Sequence, residues 1–203
     1  MTSQPARRHG TRGGTLSSHT VVSSARCQCG QRWQCAECRG YWVSRRARTS
    51  AAWLQQAVDA GGVAWFALLT IPTASDWPRE TSERWRRWRA LGQQRTRERR
   101  RTTSRSGLVG IWCGMAALHL VNRVGRWQPH LHAVVVQDAE SDSTAIVVAW
   151  QALGDGFADL EPAASLGAVV RYSIAGELPD GDDDRAALAR MMRGQRMIRR
   201  IGK

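Results

Sequence analysis

The chain has 203 residues and carries 30 Lys and Arg against 17 Asp and Glu, a formal charge of +13 with a pI near 11.2. That length holds one hydrophobic core with small appendages rather than two full domains, and the charge calls for a polyanionic partner, nucleic acid ahead of an anionic membrane. Lys203 is the only lysine, which excludes a lysine phosphate loop and interior Schiff-base chemistry. Residues 1–20 have no apolar run and no apolar stretch approaches the ~20 residues needed to span a bilayer, so a cytoplasmic location without membrane attachment is expected.

Residues 1–24 are rich in Gly, Ser, Thr and Arg without periodicity and read as a basic tail. Residues 25–44 hold a cysteine module. Cys27, Cys29, Cys35 and Cys38 offer four thiolates, the second pair at the Cys-x2-Cys spacing that wraps one ion, and four sulfurs suit tetrahedral zinc. Cys27 is the least specified of them, since His19 can stand in for it. A closed four-ligand site is structural, because it leaves no position for substrate. Its expected role is to present Arg26, Arg32, Arg39, Arg45 and Arg46 to the DNA backbone.

From Arg45 to Ala60 apolar residues recur at helical spacing and Gly61-Gly62 supplies the stop. The run Val63 to Ile71, closed by Pro72, reads as a buried strand. Residues 79–100 read as a helix with Trp85, Trp88 and Leu91 on one side, running into the basic stretch Arg95 to Arg105. Gly110–Asn122 and His130–Gln137 form a hairpin. Ser143–Leu153 and Pro162–Ala175 read as helices, with Pro162 and Gly176 as punctuation. An acidic loop, Asp180–Asp184, precedes a basic amphipathic C-terminal helix. Cys113, within an apolar strand, reads as a small buried hydrophobe.

In the segment Pro129-His130-Leu131-His132 the two histidines lie on one strand face and Leu131, Ala133 and Val135 on the other, toward the core. Neutral imidazoles so placed can share a divalent ion. A two-residue turn at Gly125-Arg126 would pair His119 with His132 and bring a third imidazole to the same spot. An even pairing sum would send His119 to the opposite face instead.

An apolar strand ending in Thr70-Ile71-Pro72, followed by a hairpin ending in Trp127-Gln128-Pro129-His130-Leu131-His132, resembles the HUH endonucleases that initiate plasmid and phage rolling-circle replication. The similarity runs from the cysteine cluster to about Gly176, and the stretch Cys29-Gly30 to Cys38 resembles the zinc segment of actinobacterial-type initiators, with Ala36 where those have Pro. His119 stands where many relatives have Glu, and Gln128 where they often have His. The resemblance implies nicking and rejoining of single-stranded DNA at an origin through a 5′-phosphotyrosine intermediate. Of two tyrosines, Tyr41 and Tyr172, the second lies downstream of the His-x-His strand as the resemblance requires, which makes it the nucleophile. Ala175 replaces a common Lys three places after the tyrosine, and Ala168 a Glu found four before it in some relatives.

The expectation is an α+β fold whose central antiparallel sheet is flanked by helices, with the His-x-His strand in the middle. Residues 25–44 would be the zinc module, 45–178 the endonuclease domain and 179–203 the acidic loop and basic helix. His119, His130 and His132 would hold catalytic Mn or Mg, and Arg32, Arg45, Arg46, Arg126 and Arg171 would contact DNA. The partners implied are single-stranded or cruciform origin DNA and a host helicase. The alternatives are a single-tyrosine HUH transposase and a non-catalytic, zinc-containing DNA-binding protein derived from an initiator.

Overall fold

The computed structural model describes residues 27, 29, 31–70, 82–92, 110–123, 126–154, 156–176 and 179–202. The expected tail at 1–24, His19, Arg26, Pro72 and the Arg95–Arg105 stretch lie outside those residues, as does the side chain of Arg126.

Helix α1 spans Ala36–Asp59 and buries Val43, Ala47, Ser50 and Leu54, a spacing of three and four that makes one face. It starts well before the expected Arg45. Cys35 occupies its N-cap in extended backbone and Cys38 lies in its first turn, so the cysteine cluster and the helix are continuous. Gly40 interrupts the apolar period there and hides the first turns from a pattern reading. At the other end Gly61, with φ 99°, turns the chain into strand β1, Gly62–Thr70. A Cβ on Gly62 would come within 2.5 Å of the Val136 side chain, so this crossing from helix to sheet needs glycine.

Helix α2 covers residues 82–92, with Trp85, Trp88 and Leu91 buried as expected. Strands β2 (Ile111–Arg123) and β3 (Arg126–Asp138) form the hairpin. Then follow α3 (Thr144–Gln151), β4 (Phe157–Pro162), α4 (Leu166–Ala175), α5 (Asp182–Met191) and β5 (Ile198–Gly202). The five strands make one antiparallel sheet in the order β4-β1-β3-β2-β5. The fold is therefore α+β with β3 at the centre.

Both faces of the sheet are covered. Leu131, Ala133 and Val135 pack with Leu118 of β2 against Trp88 of α2, Ile146 and Trp150 of α3 and Leu188 of α5. Val134 and Val136 point the other way, with Met115 and Ala117, against Val43 and Leu54 of α1 and Val170 and Ile174 of α4. That double burial explains why β3 reads as an unbroken apolar run after His132 rather than an alternation. The Trp150 indole N–H donates to the Thr70 carbonyl at 3.0 Å and ties α3 to the end of β1. Cys113 is buried in the second core, as expected.

Two strands depart from the sequence expectation. The helix expected from Pro162 begins instead at Leu166, and Pro162 closes edge strand β4, in which only Ala158 is buried. An edge strand needs one inward side chain at alternate positions and tolerates Pro, so its apolar signal is weak. The expected C-terminal helix is α5 alone. Asp182, Asp183 and Asp184 form its first turn, where carboxylates complement the helix dipole, rather than a preceding loop. The chain then adds β5 to the free edge of β2. Among the described residues no helix is long and apolar enough to cross a membrane.

Candidate metal centre and adjoining tyrosine

The β2/β3 register places His119 opposite His130 and Ala117 opposite His132, with Arg123 paired to Arg126. The pairing of His119 with His132 expected from a turn at Gly125-Arg126 is thus corrected: Val124 and Gly125 separate the last pair, one residue earlier. Moving the turn by one residue shifts every partner by two, so the side-chain face is unchanged. His119, His130 and His132 remain together, and a ligand nitrogen from each lies within 4.8 Å of the others.

The rings are close. His130 Nε2 and His132 Nε2 are 3.0 Å apart, and His119 stacks on His132 with centroids 3.8 Å apart. Two ligands each ~2.1 Å from one ion and at right angles are separated by ~3.0 Å, so the histidines fit a shared divalent cation. His119 Nε2 lies 2.6 Å from the Ser173 carbonyl. A carbonyl only accepts, so Nε2 carries the proton and donates, leaving Nδ1 with the lone pair. His132 Nδ1 is buried without a partner among the described residues. Burial pushes the His132 pKa down to about 2, helped by the neighbouring His119 and His130, and that of His119 down to about 4. Both imidazoles are neutral at pH 7, the form that ligates metal.

Helix α4 lies over this cluster and sets Tyr172 beside it. The Tyr172 ring stacks on His132 at 5.2 Å and is 60% exposed. Phe66 of β1 touches both, 5.4 Å from His132 and 5.8 Å from Tyr172, each edge to face. Its position in a continuous apolar run gave no sign of this contact. Tyr41, the other tyrosine, is exposed on α1.

Cys27, Cys29, Cys35 and Cys38 also converge, with Sγ atoms within 4.8 Å of one another. Cys29 to Cys38 is 3.5 Å and Cys27 to Cys35 is 3.6 Å, near the ~3.8 Å edge of a tetrahedron with ~2.3 Å zinc–sulfur bonds. The four thiolates can hold a structural zinc. The backbone N–H of Cys38 and the Cys27 side chain lower the Cys35 thiol to about 7, easing its deprotonation.

Arg39 is not presented to solvent as expected. It is 8% exposed, its guanidinium lies over the Trp33 ring at 4.8 Å, and Nη2 donates to the Ala175 carbonyl. Arg39 follows Cys38 directly, and Ala175 ends α4, so one side chain joins the cysteine cluster to the helix that carries Tyr172. Burial, then the Arg32 charge, pushes its pKa down to about 10, which leaves it protonated. Of the other arginines, Arg45, Arg46 and Arg171 are exposed, Arg32 is half-buried, and Arg171 donates to Ser44 Oγ at 3.3 Å.

Comparison with known proteins found no matching family model, no similar curated protein and no similar solved structure.

Proposed function

We infer that this chain is a metal-dependent HUH-type endonuclease that nicks and rejoins single-stranded DNA, serving as a plasmid or phage rolling-circle replication initiator. The observation that carries this reading is an exposed phenol stacked on His132, one of three clustered imidazoles, of which burial keeps His119 and His132 neutral. An ordinary packing tyrosine would bury its ring, and a purely structural His132 would not leave a buried Nδ1 without a partner among the described residues.

In this reading the Tyr172 oxygen attacks a DNA phosphorus and the bond to the 3′ oxygen breaks. The phenol proton passes to solvent and the departing oxygen gains one, leaving a 5′-phosphotyrosine and a free 3′-hydroxyl. One phosphodiester replaces another, so a later 3′-hydroxyl reverses the step without ATP. Mn or Mg, held by His119, His130 and His132, would draw charge from the phosphoryl oxygens. The Ser173 carbonyl fixes the His119 tautomer, and Phe66 confines the Tyr172 and His132 rings. Arg45, Arg46, Arg126 and Arg171 supply backbone charge for single-stranded or cruciform origin DNA, opened by a host helicase.

A second reading, a non-catalytic binder descended from such an enzyme, is favoured by Ala168 and Ala175 at the positions of the resembling family's Glu and Lys. Incubation with a single-stranded oligonucleotide pool and Mn decides between them. A denaturation-stable DNA adduct mapping to Tyr172, and missing from Tyr172→Phe, supports the nuclease. No adduct from the wild-type chain on any substrate, with Mn or Mg, supports the binder. Nicking of a plasmid origin rather than a transposon end separates initiator from transposase.

A further inference from the structure

A cavity of about 410 Å³ opens between α1 and the segment leading into β5. Four arginines line it, Arg32 and Arg46 from the N-terminal side and Arg196 and Arg200 from the C-terminal side, with Trp42 and Ser50 among them. Among the described residues, no Asp or Glu contributes to its lining. Two of the guanidinium groups are held by aromatic rings. Arg32 lies over Trp42 at 4.9 Å, and Arg200 lies over Trp53 at 4.7 Å while donating to Ser50 Oγ at 3.2 Å. The ion pairs seen among the described residues join Arg86, Arg87 and Arg185 to carboxylates, and none of the four cavity arginines takes part.

Gathering four like charges is unfavourable unless an anion answers them. Arginine stacked on tryptophan keeps most of its planar fork of N–H donors for a phosphate, and loses little rotamer freedom when one arrives. The cavity volume falls within the range for a small ligand or a nucleotide. The His130 and His132 imidazoles and Tyr172 do not contribute to it.

We propose that this cavity is a second nucleic-acid site, which grips two successive phosphates of a single-stranded polynucleotide away from the histidines and Tyr172. It deepens the nuclease reading by giving the strand an anchor, but binding here requires no cleavage. The β5 strand, absent from the sequence expectation, is what brings Arg196 and Arg200 to α1.

The test uses fluorescein-labelled oligothymidylate and full-length Tyr172→Phe protein, in which covalent capture is removed. Arg46→Gln with Arg196→Gln should weaken binding at least ten-fold near physiological salt. It should also lower the slope of log affinity against log salt by about 1.4, since each single-strand phosphate contact contributes about 0.7. Arg48→Gln with Arg193→Gln removes the same charge from exposed positions outside the cavity and should change affinity less than three-fold. Circular dichroism checks that each double variant is folded, and Arg46→Glu alone, at an exposed position, repeats the test if Arg196→Gln disturbs β5. Equal losses in the two double variants would overturn the proposal. So would equal binding of a blunt duplex, or full displacement of the oligonucleotide by equimolar inorganic phosphate. Absence of a Tyr172 adduct in the separate cleavage assay would leave this binding result standing.

Discussion

Replacing Arg39 with Met removes a side chain that joins the cysteine cluster to α4. Its loss has two terms: the charged hydrogen bond to the Ala175 carbonyl, about 1.5–3 kcal/mol, and the stack on Trp33, about 1 kcal/mol where partly desolvated. One gain offsets them, because Arg39 Nη1 is buried without a partner among the described residues and Met has no such atom, a relief of about 1–2 kcal/mol. The Met stem fills much of the same space, so the net expectation is destabilisation by about 0.5–3 kcal/mol, read from urea unfolding of the zinc-loaded protein. The effect should be local as well as global. Amide exchange should rise most over residues 173–175, and the Tyr172 adduct yield should fall further than the loss of folded protein explains. Arg39→Lys keeps the charge but not the planar stack, and should recover part of the loss. Unchanged stability within about 0.5 kcal/mol, together with unchanged exchange at the end of α4, would show that Arg39 does not hold this helix.

Removing zinc from Cys27, Cys29, Cys35 and Cys38 with a strong chelator should release about one ion per chain. It should also raise exchange in the first turns of α1, and Cys35→Ser should reproduce that change without chelator, as mass spectrometry will show. His132→Ala should reduce Mn affinity at least ten-fold by calorimetry while leaving zinc content unchanged; Mn binding equal to wild type would remove the histidines as its ligands. Because burial lowers the pKa of His119 to about 4 and of His132 to about 2, the unfolded chain takes up protons at these residues first. Their contribution to stability is full above about pH 6.5 and is lost as pH falls below it, so the metal-free protein should lose thermal stability between about pH 6.5 and pH 4. Replacing both with Asn should flatten that slope, and an unaltered slope would place the acid sensitivity elsewhere.

The features with strong local chemistry are legible in the sequence itself. Cys35 and Cys38 carry a spacing that only a metal or a turn explains, and His130 and His132 share a face by the period of a strand. The β2/β3 register is not legible, parity included, since a two-residue turn can sit at Val124-Gly125 or at Gly125-Arg126 and a turn of odd length would reverse the face of His119. What stays hidden is weakly patterned or long-range. Strand β4 buries Ala158 alone, and β5, Ile-Arg-Arg-Ile-Gly, has the composition of a basic helix end. Arg39 looks like any surface cation, because its partner Ala175 is 136 residues away. Phe66 reads as core from its apolar neighbours, although alternate positions of β1 face α4 and the histidines.

Helix α4 unites the histidines, the phenol and the cysteine cluster. Three contacts fall within its last turn and a half: Tyr172 stacks on His132, the Ser173 carbonyl accepts the His119 N–H, and the Ala175 carbonyl accepts from Arg39. Gly176, at φ 55°, ends the helix in a conformation that disfavours other residues, and a Cβ there would stand 3.1 Å from Arg39 Nη2 and 3.7 Å from His119 Nδ1. Glycine therefore keeps open the space beside the one His119 nitrogen that retains a lone pair. A helix of ten residues has too few turns to hold its own position and relies on what it packs against. Displacing it would release the His119 tautomer and move the phenol together, so His119 and Tyr172 are set by one element, and that element is fastened at its end by an arginine rooted in the cysteine cluster.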